Sequence, residues 1–375
     1  MAKKTSRFKK YMRVAAAPLI GAVIGIAISM LVFASPTEDM GAGDSFLRLM
    51  LVFAQMLAAA FLQIIIHESG HLVFGLLTGY RFSSFRIGGI MLAKQEGHLK
   101  LKRLSIAGTG GQCLMLPPEN GKMPFMLYNL GGPIFNLVSA LAFFLLAFLF
   151  KETVYYLYTF LLLLSLLGLA FGLLNGIPMK LNLVNNDGYN ALTLGKDEKA
   201  LRAFYMQLRI AGLVASGVRL KDMPDEWFFL SDLRDNLSAT MDAFAANRLM
   251  DMHRFDEADE LMKKLLAVKS LAGLHKNMLV CDRMYCALIS EDKKATAASM
   301  MNSNQKKFMV AMRKFPSVLR TQHAIALLLE NDKNKASDIL AAFEKVAKNY
   351  PYASDIESER ELINIAGAIA NSSLK

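Results

Sequence analysis

The fold is decided by the stretch LMLVFAQMLAAAFLQIIIHESGH, residues 49–71, in which the uncharged run Leu49–Ile66 leads directly into two histidines and a glutamate. A helix needs about 20 apolar residues to cross a bilayer. The sequence therefore predicts a membrane helix that carries His67, Glu68 and His71 within it. Ionisable side chains inside a membrane segment are costly to bury and usually mark functional sites.

Three further apolar runs of that length occur in the chain of 375 residues. The predicted spans cover residues 14–35, 47–80, 124–150 and 153–178. We interpret the first as an uncleaved anchor, and a cleaved signal peptide is the alternative because the run follows a basic start. The expected fold class is an α-helical polytopic membrane protein with four spans.

The orientation of the spans follows from the loops that carry lysine and arginine. Basic residues concentrate before the first span and between the second and third spans, the positions typical of cytoplasmic segments. We therefore expect a multi-pass protein of the cell membrane with both termini in the cytoplasm. The net charge of +11 is then mainly a signal of topology, and nucleic acid is not an expected partner.

The chain divides by composition into four segments. They are a basic cytoplasmic N-terminus (1–13), a membrane domain that carries the two histidines (14–195), an amphipathic helix with a linker (196–234) and a cytoplasmic helical domain (235–375). The alternation in Leu99-Lys100-Leu101-Lys102 is typical of a strand and predicts a small cytoplasmic β-sheet insertion. The segment Met223–Asp225 has the composition of a flexible linker.

A weak repeat in the C-terminal domain suggests its architecture. Ala258, Ala295 and Ala336 each follow a break and begin a predicted helix, at separations close to those of tetratricopeptide-like helical hairpins. An unrelated helical bundle is the alternative. Stacked hairpins form concave surfaces that bind protein segments, so a cytoplasmic protein partner is expected for this domain.

The histidines point to metal chemistry. Residues four apart lie on one face of a helix, so His67 and His71 can bind one zinc ion with Glu68 beside it as the general base. Zinc needs a third protein ligand, and Asp187 is the best candidate because it follows the fourth span at a similar membrane depth. The rival ligands are Glu96, His98 and Cys113.

These segments together resemble the site-2 protease family of intramembrane metalloproteases, over roughly residues 46–190. The family pairs a His-Glu-x-x-His helix with a later Asn-x-x-Pro and Asp-Gly segment, matched here by Asn175, Pro178 and Asp187-Gly188. The stretch Gly131–Asn136 resembles the Gly-Pro-x-x-Asn segment of the family's middle helix. The resemblance implies that Asp187 completes the zinc site and that Asn175, Pro178 and Asn136 bind substrate.

Two departures from the usual family pattern indicate which members of the family the chain resembles. Asn186 stands where the family usually has leucine, and the longer gap before Asp187-Gly188-Tyr189 is typical of bacterial, peptide-processing members. The loop between the last two spans is too short for a PDZ domain.

The expected function is that of an intramembrane zinc metalloendopeptidase with one Zn2+ per chain. Its substrates would be membrane-embedded protein segments or signal-peptide remnants, and a substrate helix is the expected membrane partner. Two other functions stay open. One is a zinc transporter, and the other is an inactive relative that serves as a membrane-anchored scaffold or adaptor through its helical C-terminal domain.

Overall fold

The computed structural model describes residues 21–22, 25–26, 29, 42–95, 97–104, 110–120, 122–151, 154–179, 185–228, 236–267, 273–290 and 293–372. The predicted N-terminal segment 1–13 and almost all of the predicted first span, 14–35, lie outside these residues. Within them the protein is mainly helical and contains one small β-sheet, which confirms this part of the expected class.

Three helices in the described part of the chain are long and apolar enough to cross a membrane. They are α1 (Ala42–Leu77), α2 (Phe125–Phe150) and α3 (Tyr155–Gly176). These helices correspond to the second, third and fourth predicted spans. The prediction of four spans is not confirmed, because the first falls outside the described residues.

Glycines fix the end of α1 and its approach to α2. At the end, Gly79 has a φ of 89°, and the N–H of Tyr80 bonds to the carbonyl of Gly75 at 2.9 Å, as in a Schellman motif. About two turns before the end of the helix, a Cβ placed on Gly70 would lie 2.2 Å from the carbonyl oxygen of Gly131. Only residues without a side chain allow two backbones to come this close. Helix α2 is therefore held against the turn of α1 that carries the histidines.

A small antiparallel sheet is inserted between α1 and α2. Its strands are β1 (Arg81–Ile87), β2 (Ile90–Gln95), β3 (His98–Arg103) and β4 (Gly111–Leu116), in the order β3-β2-β1-β4. Strand β1 pairs with β4 so that Phe85 lies opposite Cys113, and β2 pairs with β3 so that Leu92 lies opposite Leu101. The predicted sheet is thus confirmed.

The chain forms two compact units. The membrane unit comprises Met1–Ile87 and Gly108–Asp197, and the helical unit comprises Gly88–Ala107 and Glu198–Lys375. The boundary near residue 197 lies close to the predicted one at 195, but the β2–β3 hairpin belongs to the helical unit. Its buried residues Met91, Ala93 and Leu104 pack with Phe315, Tyr350 and Tyr352. The side chain of Gln95 also donates a hydrogen bond to the carbonyl of Pro351.

The membrane unit contains one further short helix, α4 (Asp187–Thr193). The rest of the helical unit consists of short to medium helices. The helices of the helical unit are α5 (Glu198–Ser216), α6 (Asn236–Asp251), α7 (Phe255–Leu266), α8 (Gly273–Ile289), α9 (Lys294–Met300), α10 (Ser303–Ala311), α11 (Pro316–Leu328), α12 (Lys333–Ala347) and α13 (Ala353–Ser372).

The tetratricopeptide-like prediction is not confirmed. Ala258 and Ala336 are buried as the repeat requires, whereas Ala295 is exposed and its neighbour Ala297 is buried instead. Helix α9 also has only seven residues, which is short for one arm of a helical hairpin.

The segment that follows α5 is packed. Met223 is buried in a cluster with Ala203, Ile210 and Met241, and Arg248 donates a hydrogen bond to the carbonyl of Met223. Met223 and its apolar neighbours Leu220 and Trp227 therefore pack in this cluster of the helical unit, whereas Pro224 and Asp225 of the predicted linker are exposed. Residues 229–235 lie outside the described residues.

A charged cavity of about 290 Å³ lies inside the helical unit. The ionisable residues that line it are Arg219, Asp251, His275, Asp282, Arg320, Asp355 and Glu359. Arg320 is 2% exposed and bonds to Asp282 at 2.6 Å and to Glu359 at 2.8 Å. Burial raises the pKa of the Asp355 carboxyl to about 7, and the neighbouring carboxylates of Glu359 and Asp251 act in the same direction. The acid groups of this cavity outnumber its arginines.

Candidate metal centre

The three predicted ligands come together in the membrane unit. His67 and His71 lie one turn apart on α1, and Asp187 is the first residue of α4. The Nε2 atoms of the two histidines are 3.2 Å apart, and Oδ2 of Asp187 lies 3.1 Å from the first and 3.5 Å from the second. The chain thus brings two imidazoles and one carboxylate to a single point.

The spacing of these donor atoms fits a tetrahedral zinc ion. Zinc binds imidazole nitrogen and carboxylate oxygen at about 2.0–2.2 Å, so two donors in a tetrahedral site lie about 3.3 Å apart. The three measured separations of 3.1, 3.2 and 3.5 Å lie on either side of that value. Among the described residues, these three side chains form the group of histidine, cysteine, aspartate and glutamate residues able to hold a metal ion.

The hydrogen bonds of both imidazoles turn their Nε2 atoms towards this point. Nδ1 of His71 lies 2.7 Å from the carbonyl oxygen of Tyr128, which can only accept, so Nδ1 carries the proton. Nδ1 of His67 lies 2.6 Å from Oδ1 of Asn136. The amide nitrogen of Asn136 donates to Gln63, so its oxygen is the acceptor for His67. A neutral imidazole protonated at Nδ1 presents a lone pair at Nε2, the form that binds a metal.

Charge at the centre also favours a cation. Burial acts to raise the pKa of Asp187, but its contacts with His71 and His67 outweigh burial and lower the pKa to about 2. The carboxylate is therefore ionised at neutral pH, as a metal ligand must be.

Gly132 provides the space beside the ligands. A Cβ at this position would lie 2.6 Å from Nε2 of His71 and 2.7 Å from Nε2 of His67. Any side chain here would press on both donor atoms. The two neighbouring glycines thus have different roles, since Gly131 admits the backbone of α1 and Gly132 leaves room for the donor atoms.

Glu68 lies next to the ligands and faces strand β4. Glu68 is buried, with 8% of its surface exposed, and its carboxylate accepts a hydrogen bond from the backbone N–H of Cys113. A Cβ on Gly111 would lie 2.7 Å from Oε1 of Glu68, so the strand passes directly over the carboxylate. Glu68 is not one of the three clustered ligands, which agrees with the position expected for a general base.

Asn186 holds Asp187 in place. Its Oδ1 accepts from the backbone N–H groups of Met179 at 2.9 Å and Tyr189 at 3.0 Å. Its Nδ2 donates to the carbonyls of Leu174 at 2.8 Å and Ile177 at 2.6 Å. The side chain both caps α4 and ties it to the end of α3. Asparagine at the position of the family's usual leucine thus has a structural reason.

The remaining predicted site residues lie nearby in different surroundings. Asn136 is fully buried, and its amide is engaged by His67 and Gln63, a different setting from the one expected for substrate binding. Asn175 and Pro178 are half-buried at the end of α3, and the amide of Asn175 donates to the carbonyl of Phe171 in its own helix at 3.0 Å.

The rival ligands are placed less favourably. The sulfur of Cys113 is buried in β4, and burial raises the pKa of its thiol, which favours the protonated form that does not bind metal. His98 is exposed at the start of β3, and Glu96 lies outside the described residues.

Sequence reasoning missed Gln63, Gly132 and the role of Asn186. Gln63 had one signal available, since it is a polar residue one helical turn before His67 in an otherwise apolar span.

One of three comparisons with known proteins gives a match, and it agrees with this geometry. Curated proteins and solved structures give no significant match to the chain. The model of peptidase family M50 matches residues 55–374, a range that includes α2, α3, all three candidate ligands and most of the helical unit. Members of this family are membrane metalloproteases that use zinc. The chain therefore belongs to peptidase family M50, the site-2 protease family.

Proposed function

We propose that this chain is a zinc metalloendopeptidase that hydrolyses peptide bonds of membrane-embedded protein segments or signal-peptide remnants. The observation that carries the proposal is the convergence of His67 and His71, on a helix able to cross a membrane, with Asp187 of α4, so that the donor atoms lie 3.1–3.5 Å apart. A proteolytic role needs in addition a base beside the metal, and Glu68 is in that position.

Each residue of the site has a separate role in the proposed hydrolysis. When bound, zinc would supply a Lewis acid that polarises the peptide carbonyl and lowers the pKa of water. Glu68 accepts the proton of the attacking water and then delivers it to the departing amine. The N–H of Cys113 holds the carboxylate of Glu68 in place during both transfers. His67, His71 and Asp187 hold the ion.

The substrate must be extended at the bond that is cut. A peptide bond within a helix is enclosed by its own hydrogen bonding, so a substrate helix has to unwind before it reaches Glu68. We propose that Asn175 and Pro178, at the half-buried end of α3, contact the unwound segment. Asn136 is better suited to positioning His67, because its side chain is buried away from any entering chain.

The proposed location is a bacterial cell membrane, with both termini in the cytoplasm. The basic residues before the first predicted span and in the 81–122 loop support this orientation. A cytoplasmic protein that binds the helical unit is the partner we propose besides the substrate.

The decisive experiment compares Glu68→Gln with the wild type in detergent. Purified protein is mixed with a panel of synthetic single-span peptides, and both cleavage and zinc per chain are measured. The variant should lose cleavage by about 100-fold or more, because removing a general base has at least that effect. It should retain about one zinc ion, because Glu68 is not a ligand.

A matched control is Glu119→Gln, which changes an exposed glutamate paired with Arg81 on the surface. This variant should cleave at the wild-type rate. Cleavage by Glu68→Gln at the wild-type rate would contradict the proposal. A zinc-loaded wild type that cleaves no peptide in the panel would favour the inactive scaffold instead.

A further inference from the structure

Gln63 is a fully buried polar side chain inside a membrane-spanning helix. It lies on α1 one turn before His67, and it is 0% exposed. Its Nε2 donates to the carbonyl of Leu164 on α3 at 2.8 Å. Its Oε1 accepts from Nδ2 of Asn136 on α2 at 2.8 Å and from the hydroxyl of Ser139 at 3.3 Å. One amide thus connects all three described spans.

The direction of each hydrogen bond in this chain of contacts is fixed. A backbone carbonyl can only accept, so Leu164 requires the nitrogen of Gln63 on its side, and the oxygen of Gln63 then faces Asn136. The nitrogen of Asn136 is held by that oxygen and by the backbone carbonyl of Gln63 at 3.0 Å. Only the oxygen of Asn136 remains to face Nδ1 of His67.

We infer that Gln63 is a positioning residue for the metal centre: acting through Asn136, it keeps the proton of His67 on Nδ1 and directs Nε2 of that ring at the ion. This role rests on the proposed zinc-dependent function. A reversed Asn136 amide would offer a donor to Nδ1 and would favour the tautomer that carries its proton at Nε2, which cannot bind a metal. Outer groups of this kind orient metal-binding histidines in general.

The same helix offers a control for simple helix packing. Gln55 lies two turns before Gln63, and its Nε2 donates to the carbonyl of Tyr156 on α3 at 2.9 Å. It therefore makes the same type of contact between the same two helices. No hydrogen bond of the described structure joins Gln55 to Asn136 or to either histidine.

The test measures zinc affinity by competition with a chelator on full-length protein in detergent. The variants are Gln63→Met, Gln55→Met, Asn136→Leu and the double variant Gln63→Met/Asn136→Leu, each with its thermal unfolding recorded. Loss of an outer partner lowers metal affinity about 10–100-fold. We expect that loss for Asn136→Leu, about tenfold for Gln63→Met and less than about twofold for Gln55→Met.

The double variant separates positioning from packing. If Gln63 acts through Asn136, the double variant should bind zinc no more weakly than Asn136→Leu alone. Gln63→Asn is the second single variant, since its shorter amide cannot bridge Leu164 and Asn136, and it should repeat the loss. The inference is overturned if the losses of the single variants add, or if Gln63→Met or Gln63→Asn binds zinc as Gln55→Met does.

Zinc binding by the wild-type protein tests the proposed function separately from the role of Gln63. A wild-type protein without zinc at His67 and His71 would refute that function. A wild-type protein that binds zinc, with Gln63 variants unchanged, would refute only the role of Gln63.

Discussion

Replacing Gly132 by alanine should remove zinc binding while the protein stays folded. The added Cβ would lie 2.6 Å from Nε2 of His71 and 2.7 Å from Nε2 of His67. Comfortable contacts between such atoms begin at about 3.5 Å, so with α2 in place both imidazoles must move by roughly 0.8–0.9 Å. Zinc sites tolerate deviations of only about 0.2 Å in their ligand distances. A displaced imidazole then no longer shares an ion with its neighbour and Asp187.

The expected magnitude follows from losing one of three protein ligands. We expect zinc affinity to fall at least about 100-fold, which corresponds to roughly 2.7 kcal/mol of binding free energy. Chelator competition on the purified protein measures this change, and metal content per chain provides an independent measurement. Thermal unfolding shows whether the variant has kept its fold.

Gly172→Ala is the matched control for helix packing. Its Cβ would lie 2.7 Å from Cδ2 and Cγ of Leu137, so it crowds a contact between α3 and α2 as Gly132→Ala crowds one between α2 and α1. The crowded side chain there is not a ligand, and zinc affinity should stay near that of the wild type. Unchanged zinc affinity in Gly132→Ala would refute the assigned position of the ion. Equal losses in both variants would attribute the effect to packing.

Two further predictions concern other parts of the chain. Asn186→Leu restores the family's usual residue but leaves four backbone groups without their partner, and an unmet buried group costs about 1–3 kcal/mol. Asp187 should lose its position, and chelator competition should show zinc affinity at least about tenfold weaker; wild-type affinity would contradict this. For Asp355, the folded pKa of about 7 exceeds the usual 3.8, so its contribution to stability is lost as pH rises from about 4 to about 7. Between pH 5 and pH 8 this loss amounts to roughly 2.7 kcal/mol. Asp355→Asn should therefore raise the unfolding temperature relative to wild type by about 5–11 °C more at pH 8 than at pH 5, and an equal difference at both values would contradict the assignment.

The metal ligands were predictable from sequence because local chemistry specifies them. Two histidines four residues apart share a helix face whatever surrounds them. Asp187 needed a longer argument, since it lies more than a hundred residues from His71 and was selected by membrane depth and by resemblance to the family. The sheet was predictable from alternation at residues 99–102, which is also a local pattern.

Features that depend on contacts between distant segments were not predictable in this way. The role of Gln63 requires α2 and α3 to be in place, and neither hydrogen-bond partner is visible in the local sequence. The repeat is not confirmed at Ala295, because spacing alone does not determine which alanine faces the core, and Ala297 is the buried one. The assignment of the β2–β3 hairpin to the helical unit depends on residues more than two hundred positions away.

That hairpin can pack in the helical unit only late in the synthesis of the protein. Gln95 and its partner Pro351 are 256 residues apart, and a ribosome that adds about 5–20 residues per second needs roughly 10–50 s to cover that distance. Met91, Ala93 and Leu104 leave the ribosome long before Phe315, Tyr350 and Tyr352 exist. For that interval the nascent chain presents these three apolar side chains to chaperones and proteases. A premature stop before residue 315 would make that state permanent and direct the shortened protein towards degradation.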